Sequence, residues 1–206
     1  MRQFFKARNT RAELLSVNYI RVGSDNCAAK VDRMLAGFEG VARLEFRPHA
    51  DDRGTWQRCW DSDLMQTVDM DPRVSQVSFS HSPKIGTLRG LHMLSESMGE
   101  TKSVFVVSGE IQDVVVDLRK SSPNYLEHLE FRLSAGQGIA IPPGVAHGFL
   151  TLVPDVSMVY VMSVPYSEKQ DLGFSYNDPA FGISWAQEPK HVSRRDLSHS
   201  FIDVEA

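Results

Sequence analysis

Residues 89–119 read RGLHMLSESMGETKSVFVVSGEIQDVVVDLR, and the fold turns on how this stretch divides. Val, Ile and Phe crowd into the two halves on either side of Ser108-Gly109. Residues of that kind favour a pleated, half-buried backbone, and a Gly between two such runs predicts two paired strands joined by a turn. A histidine, His92, follows Gly90 before the first run, and Lys102 opens that run. A base and a cation fixed on strands form a layout that chemistry can use. One His beside one Lys is also common surface decoration, so the rest of the chain has to decide.

Outward from this stretch the texture repeats. VARLEF (41–46), WQRCW (56–60) and VSQVSFS (74–80) precede it; YLEHLEFRLS (125–134), GIAIPPGVAHGFLTL (138–152) and SMVYVMSVPY (157–166) follow. Short apolar or alternating runs at roughly ten-residue spacing, broken by Gly, Pro and Asp, predict an all-β jelly-roll sandwich or barrel. PHADDRG (48–54) has turn composition. Before residue 39, AELLSV (12–17) and AAKVDRMLAGF (28–38) each suit a short helix. Residues 1–38 therefore read as an N-terminal extension and 39–206 as the main domain. A short C-terminal helix is expected near Ser193–Phe201.

Composition removes several function classes. With 206 residues, a formal charge of −4 and 42% hydrophobic content, the chain suits one globular domain with a real core. Mild acidity without a basic run argues against nucleic-acid binding. No apolar stretch approaches the roughly 20 residues of a membrane span. MRQFFKARNTRAELL carries charge throughout and lacks an apolar h-region, which reads against a secretory signal. Cys27 and Cys59 are too few for a disulfide framework, and a reducing, cytoplasmic compartment is expected.

Several residues are candidates for chemistry. His147 lies in IPPGVAHGF, whose Pro-Pro-Gly turn should place it at a barrel mouth. Gly136, Pro142, Gly144 and His147 match the second signature of the cupin barrel, but Met93-Leu94 follow His92, so the second histidine of the first signature is missing. No metal centre is expected, with His92, Glu100 and His147 as the alternative set that could hold one. Tyr160 and Tyr166 lie six apart, an even spacing that on one strand sends both to one face. Asp178, in YNDP, is a carboxylate on a turn.

Together these residues resemble the dTDP-4-dehydrorhamnose 3,5-epimerase family of cupin-fold sugar epimerases. The resemblance spans about residues 39–200. It rests on DDRG (51–54), LRGLH (88–92), Lys102, GEIQDVVVDLRKSSP (109–123), IPPGVAHGF (141–149), Tyr160, Tyr166 and NDPAFGISW (177–185). It implies a cofactor-free isomerase acting at C3 and/or C5 of a nucleotide-diphosphate-linked 4-keto-6-deoxy sugar. His92 would be the base, Asp178 its orienting carboxylate, Lys102 the cation at the enolate oxygen and Tyr160 the acid. Arg53, Arg89, His147, Tyr166 and Gln76 would bind substrate. It further implies a homodimer with swapped N-terminal strands, in which Arg53 reaches the neighbouring site. The chain departs from the family pattern at His49, Thr55-Trp56, Arg58, Ser78 and Leu94, which suggests altered nucleotide recognition. A 3,4-ketoisomerase on the same barrel and a non-catalytic sugar-binding cupin are the rival readings.

Overall fold

A computed structural model describes residues 18–21, 28–33 and 38–203. In chain order the strands are β1 (Asn18–Arg21), β2 (Ala28–Arg33), β3 (Ala42–Phe46), β4 (His49–Asp51) and β5 (Gly54–Trp56). Helix α1 (Ser62–Thr67) follows, then β6 (Gln76–Ser82), β7 (Thr87–Leu94), β8 (Lys102–Ser108) and β9 (Glu110–Asp117). The chain continues through β10 (His128–Ser134), β11 (Gln137–Ile141), β12 (Val145–Thr151) and β13 (Val156–Met162). It ends in β14 (Asp171–Gly173), β15 (His191–Val192) and α2 (Arg194–Leu197). The all-β cupin-type jelly roll expected from the sequence is what forms.

Two sheets pack face to face. One runs β1-β2-β3-β11-β8-β13-β6; the other runs β10-β9-β12-β7-β14, with β15 added in parallel to β7. Between them lies a core that includes Val104, Val106, Ile139 and Met158 from the first sheet and Ile111, Val115, Leu133 and Phe149 from the second. Parts of the outer faces are covered as well. Leu64 and Met65 of α1 pack on Phe46 and Phe105, and the C-terminal segment lays Phe181 and Trp185 over Val114, Val116 and Ala146. Asp61 caps α1 by accepting the Asp63 and Leu64 amides.

This double cover corrects one expectation. The runs on either side of Ser108-Gly109 are strands, but they are not paired. β8 bonds to β11 and β13, and β9 bonds to β10 and β12, in opposite sheets. The Gly109 turn is a corner between the sheets. It holds φ +88, and a Cβ there would lie 2.7 Å from Val156. β9 is buried on both faces, so its sequence lacks the alternation that reveals a partner.

A second expectation also changes. Ala28–Arg33, read as helical, is a strand between β1 and β3. The open edge of β3 supplies backbone partners that override a weak helical preference. The helix expected at 12–17 lies outside the described residues. The C-terminal helix is present but shorter, with Ser193 as its cap. WQRCW forms no strand beyond Trp56, and α1 follows it instead.

Candidate active site

His92 and Lys102 come from opposite sheets. His92 sits on β7 and Lys102 opens β8, and both line one cavity of about 720 Å³. Arg89, His147 and Tyr160 line it too. A second, smaller cavity shares His92, Lys102 and Tyr160 and adds Gln76, Glu100 and Tyr166. The two adjoin at these three residues and form one cleft lined from both sheets.

The glycine of RGLH is a packing requirement. Gly90 has φ +124, and a Cβ on it would fall 2.5 Å from the Gly148 Cα of β12. That close approach sets β7 against β12 at an irregularity in their register, where His92 pairs with His147. The two histidines are therefore cross-strand neighbours.

His92 Nε2 lies 2.8 Å from Asp196 Oδ1. Asp196 is buried, the Gly90 amide approaches Oδ2 at 3.4 Å, and its own amide bonds Ser193. Burial alone would raise the Asp196 pKa. The His92 bond, its charge and the two neighbouring donors outweigh burial and hold the carboxyl below the ordinary value. The carboxylate expected beside His92 was Asp178, and the structure puts it elsewhere. Asp178 accepts the amides of Ala180 and Ile202, so it ties the turn to the C-terminal segment. Asp196 lay hidden in VSRRD. The S-x-x-D spacing there signals a helix start, but nothing local reports contact with a strand about a hundred residues earlier.

His147 is buried and its Nε2 lies 2.7 Å from Asp113 Oδ2. Its ring is 6.5 Å from that of Tyr160, edge to face. Burial, the largest influence, pushes the Tyr160 phenol up to about 12, against a lowering bond from Ser80. Tyr160 therefore keeps its proton at neutral pH. Lys102 Nζ pairs with Glu100 at 3.3 Å. Arg89 Nε approaches Ser82 Oγ at 3.4 Å.

The remaining candidates lie further out. The Gln76 side chain bonds Ser78 and accepts the Tyr166 amide. Tyr166 lies beyond the end of β13, where strand alternation no longer sets its direction, yet it lines the smaller cavity and donates to Asp171. Arg195 holds the same carboxylate at 2.6 Å. Arg53 lines neither cavity. It is 85% exposed on the β4–β5 hairpin, paired with Asp51. Trp56 shares that exposed hairpin, and Arg58 pairs with the cap residue Asp61 at 2.7 Å. Arg58 thus serves the start of α1, and the case for altered nucleotide recognition loses that residue.

One three-residue group among the described residues could hold a metal: His92, Asp196 and His199. Burial, and then the charge of His92, hold His199 below the ordinary histidine value.

The profile of the family described as dTDP-4-dehydrorhamnose 3,5-epimerase matches residues 36–203. A protein of that name from Sinorhizobium fredii is 36% identical over 161 residues, covering 77% of this chain and 83% of the relative. A dTDP-4-dehydrorhamnose 3-epimerase from Streptomyces niveus is 30% identical over 163 residues, covering 78% of each chain. Among solved structures, the 3,5-epimerase of Bacillus anthracis with TDP and pyrophosphate bound superposes with a TM-score of 0.77 at 32% identity, covering 84% of this chain and 99% of that one.

Proposed function

The chain belongs to the dTDP-4-dehydrorhamnose 3,5-epimerase family, and on that premise we propose that His92 is the base and Tyr160 the acid of its reaction. It is an isomerase of nucleotide-linked 4-keto-6-deoxy sugars in deoxysugar biosynthesis. The observation that carries the assignment of roles is the cleft shared by His92, Lys102 and Tyr160, with a buried carboxylate behind the histidine.

A hydrogen on the carbon beside a ketone is acidic only when the enolate is stabilised. His92 takes that proton, and Asp196 fixes its tautomer and stabilises the imidazolium that forms. The Lys102 ammonium stands at the enolate oxygen, where one well-placed donor is worth about 3–4 kcal/mol. Tyr160, still protonated, returns a proton to the opposite face and inverts the carbon. Arg89 and His147 contact the sugar and diphosphate, and Gln76 and Tyr166 lie toward the nucleotide. Asp178 acts on the fold. The similar proteins include both 3,5- and 3-epimerases, so both C3 and C5 are tested.

The active unit is a homodimer. β6 alternates in an inverted sense: Gln76, Ser78 and Ser80 turn inward, while Val77 and Phe79 are 61% and 65% exposed on an edge strand. An apolar edge of that kind needs a cover. The exposed hairpin that carries Arg53 fits an arm reaching the neighbouring cleft, with exchanged N-terminal strands as its structural basis. The half-buried free thiol of Cys59 fits a reducing, cytoplasmic compartment.

The test is incubation with a dTDP-linked 4-keto-6-deoxy sugar in deuterated water, followed by NMR of the product. Deuterium should enter at C3, C5 or both with the ketone still at C4, and His92→Ala should stop it. A 3-keto product would make the enzyme a ketoisomerase. Binding without exchange would make it a sugar-binding cupin.

A further inference from the structure

Beside the His92–Asp196 pair stands a group with no part in the reaction described above. His199, two residues past α2, sets its ring edge-on to His92, with centroids 6.0 Å apart and planes at 80°. Its Nε2 is buried without a hydrogen-bond partner. The ring rests on Gly173, where any Cβ would come within 2.0 Å of it. Gly173 is in turn the register partner of His92 across β14 and β7. The bare glycine makes the notch that brings a second imidazole to the pair.

We propose that His92, Asp196 and His199 bind a divalent transition ion of the zinc class, and that the bound ion switches the enzyme off. One donor atom from each residue lies within 4.8 Å of the other two. Two imidazoles and one carboxylate are a donor set that zinc accepts, with a fourth position left for water. His92 Nε2 and Asp196 Oδ1 are already 2.8 Å apart. Tetrahedral zinc, with bonds near 2.0–2.2 Å, spaces its ligands roughly 3.3 Å apart. The pair needs to open only slightly, and His199 needs to swing in from the chain segment after α2.

The switch follows from proton bookkeeping on one ring, and it rests on His92 being the base. Neutral His92 gives its Nε2 proton to the bond with Asp196 and keeps the basic lone pair on Nδ1. A metal on Nε2 occupies that nitrogen, and the ring proton moves to Nδ1. The ring stays neutral, no net proton is released, and no lone pair remains to receive the substrate's proton.

The test uses the full chain stripped of metal. Zinc is titrated against a chromophoric chelator, which reads binding without any turnover, and then into the deuterium-exchange assay. Wild type should take one zinc per chain and lose exchange, with recovery on adding EDTA. His199→Asn should bind at least tenfold more weakly, while His81→Asn, which alters an exposed histidine elsewhere, should bind as wild type does. Cobalt bound to wild type should give the intense visible bands of a four-coordinate site, a reading that needs no variant to fold. Equal zinc affinity in wild type and His199→Asn, or no binding in wild type, overturns the site. Binding that depends on His199 while exchange continues overturns the switch; the assignment of His92 as base is decided separately, by metal-free His92→Ala, whose undiminished exchange would overturn it.

Discussion

At the scale of residues, the cleft assigns different work to groups that look alike. Of the two carboxylates near the C-terminus, Asp196 faces the imidazole and Asp178 faces backbone amides. Asp196→Asn should therefore lower kcat roughly 10²–10⁴-fold, the range for a disabled acid–base step, with KM little changed. Asp178→Asn should instead lower the melting temperature, with kcat retained in the folded fraction. Because the folded Asp196 pKa lies below its unfolded value, its stabilising effect is present above about pH 4 and fades as pH falls further. Asp196→Asn should remove that part of the acid-unfolding transition. Tyr160 runs the other way. With its phenol held at about 12, it stays protonated past its ordinary pKa of about 10. Turnover should show no alkaline fall from this group below about pH 10, which a rate–pH profile would check.

At the scale of elements, glycines and corners decide the geometry. Gly90→Ala would press a methyl into β12 at a positive φ that disfavours a side chain. It should cost more than the usual 0.5–3 kcal/mol range of single substitutions, and denaturant unfolding would measure it. The β-strands themselves were legible where exposure alternates along the strand, as in β3 and β6. β8 and β9 were legible as strands but not as members of different sheets, because burial on both faces erases the alternation that register depends on. Ala28–Arg33 failed as a helix for a different reason: the strands just before and after it in the chain supply backbone partners that outweigh its own weak helical preference. The site divided along the same line. His92, Lys102 and Tyr160 stand in distinctive local motifs and meet in the cleft. Asp196 reaches it, and His199 reaches the His92–Asp196 pair, only through the fold of the C-terminal segment, which no neighbouring residue announces.

At the scale of the whole molecule, an inverted strand at the edge of a sheet connects architecture to function. β6 turns its polar side to the cleft and its apolar side outward, so the surface that shapes the site is backed by one that needs covering. If the proposed homodimer buries this face, Phe79→Asp should shift sedimentation from dimer to monomer. If the Arg53 hairpin completes the neighbouring cleft, the same variant should raise KM, while a variant that stays dimeric would move the interface elsewhere. Inversion requires a base to take a proton from one face of the sugar and an acid to return one to the other. The most direct measurement is Tyr160→Phe in deuterated water, with exchange and inversion followed separately by NMR. The cleft predicts that deuterium still enters, because His92 can return it to the face it came from, while inversion falls at least roughly 10²-fold. Inversion at the wild-type rate in Tyr160→Phe would contradict it.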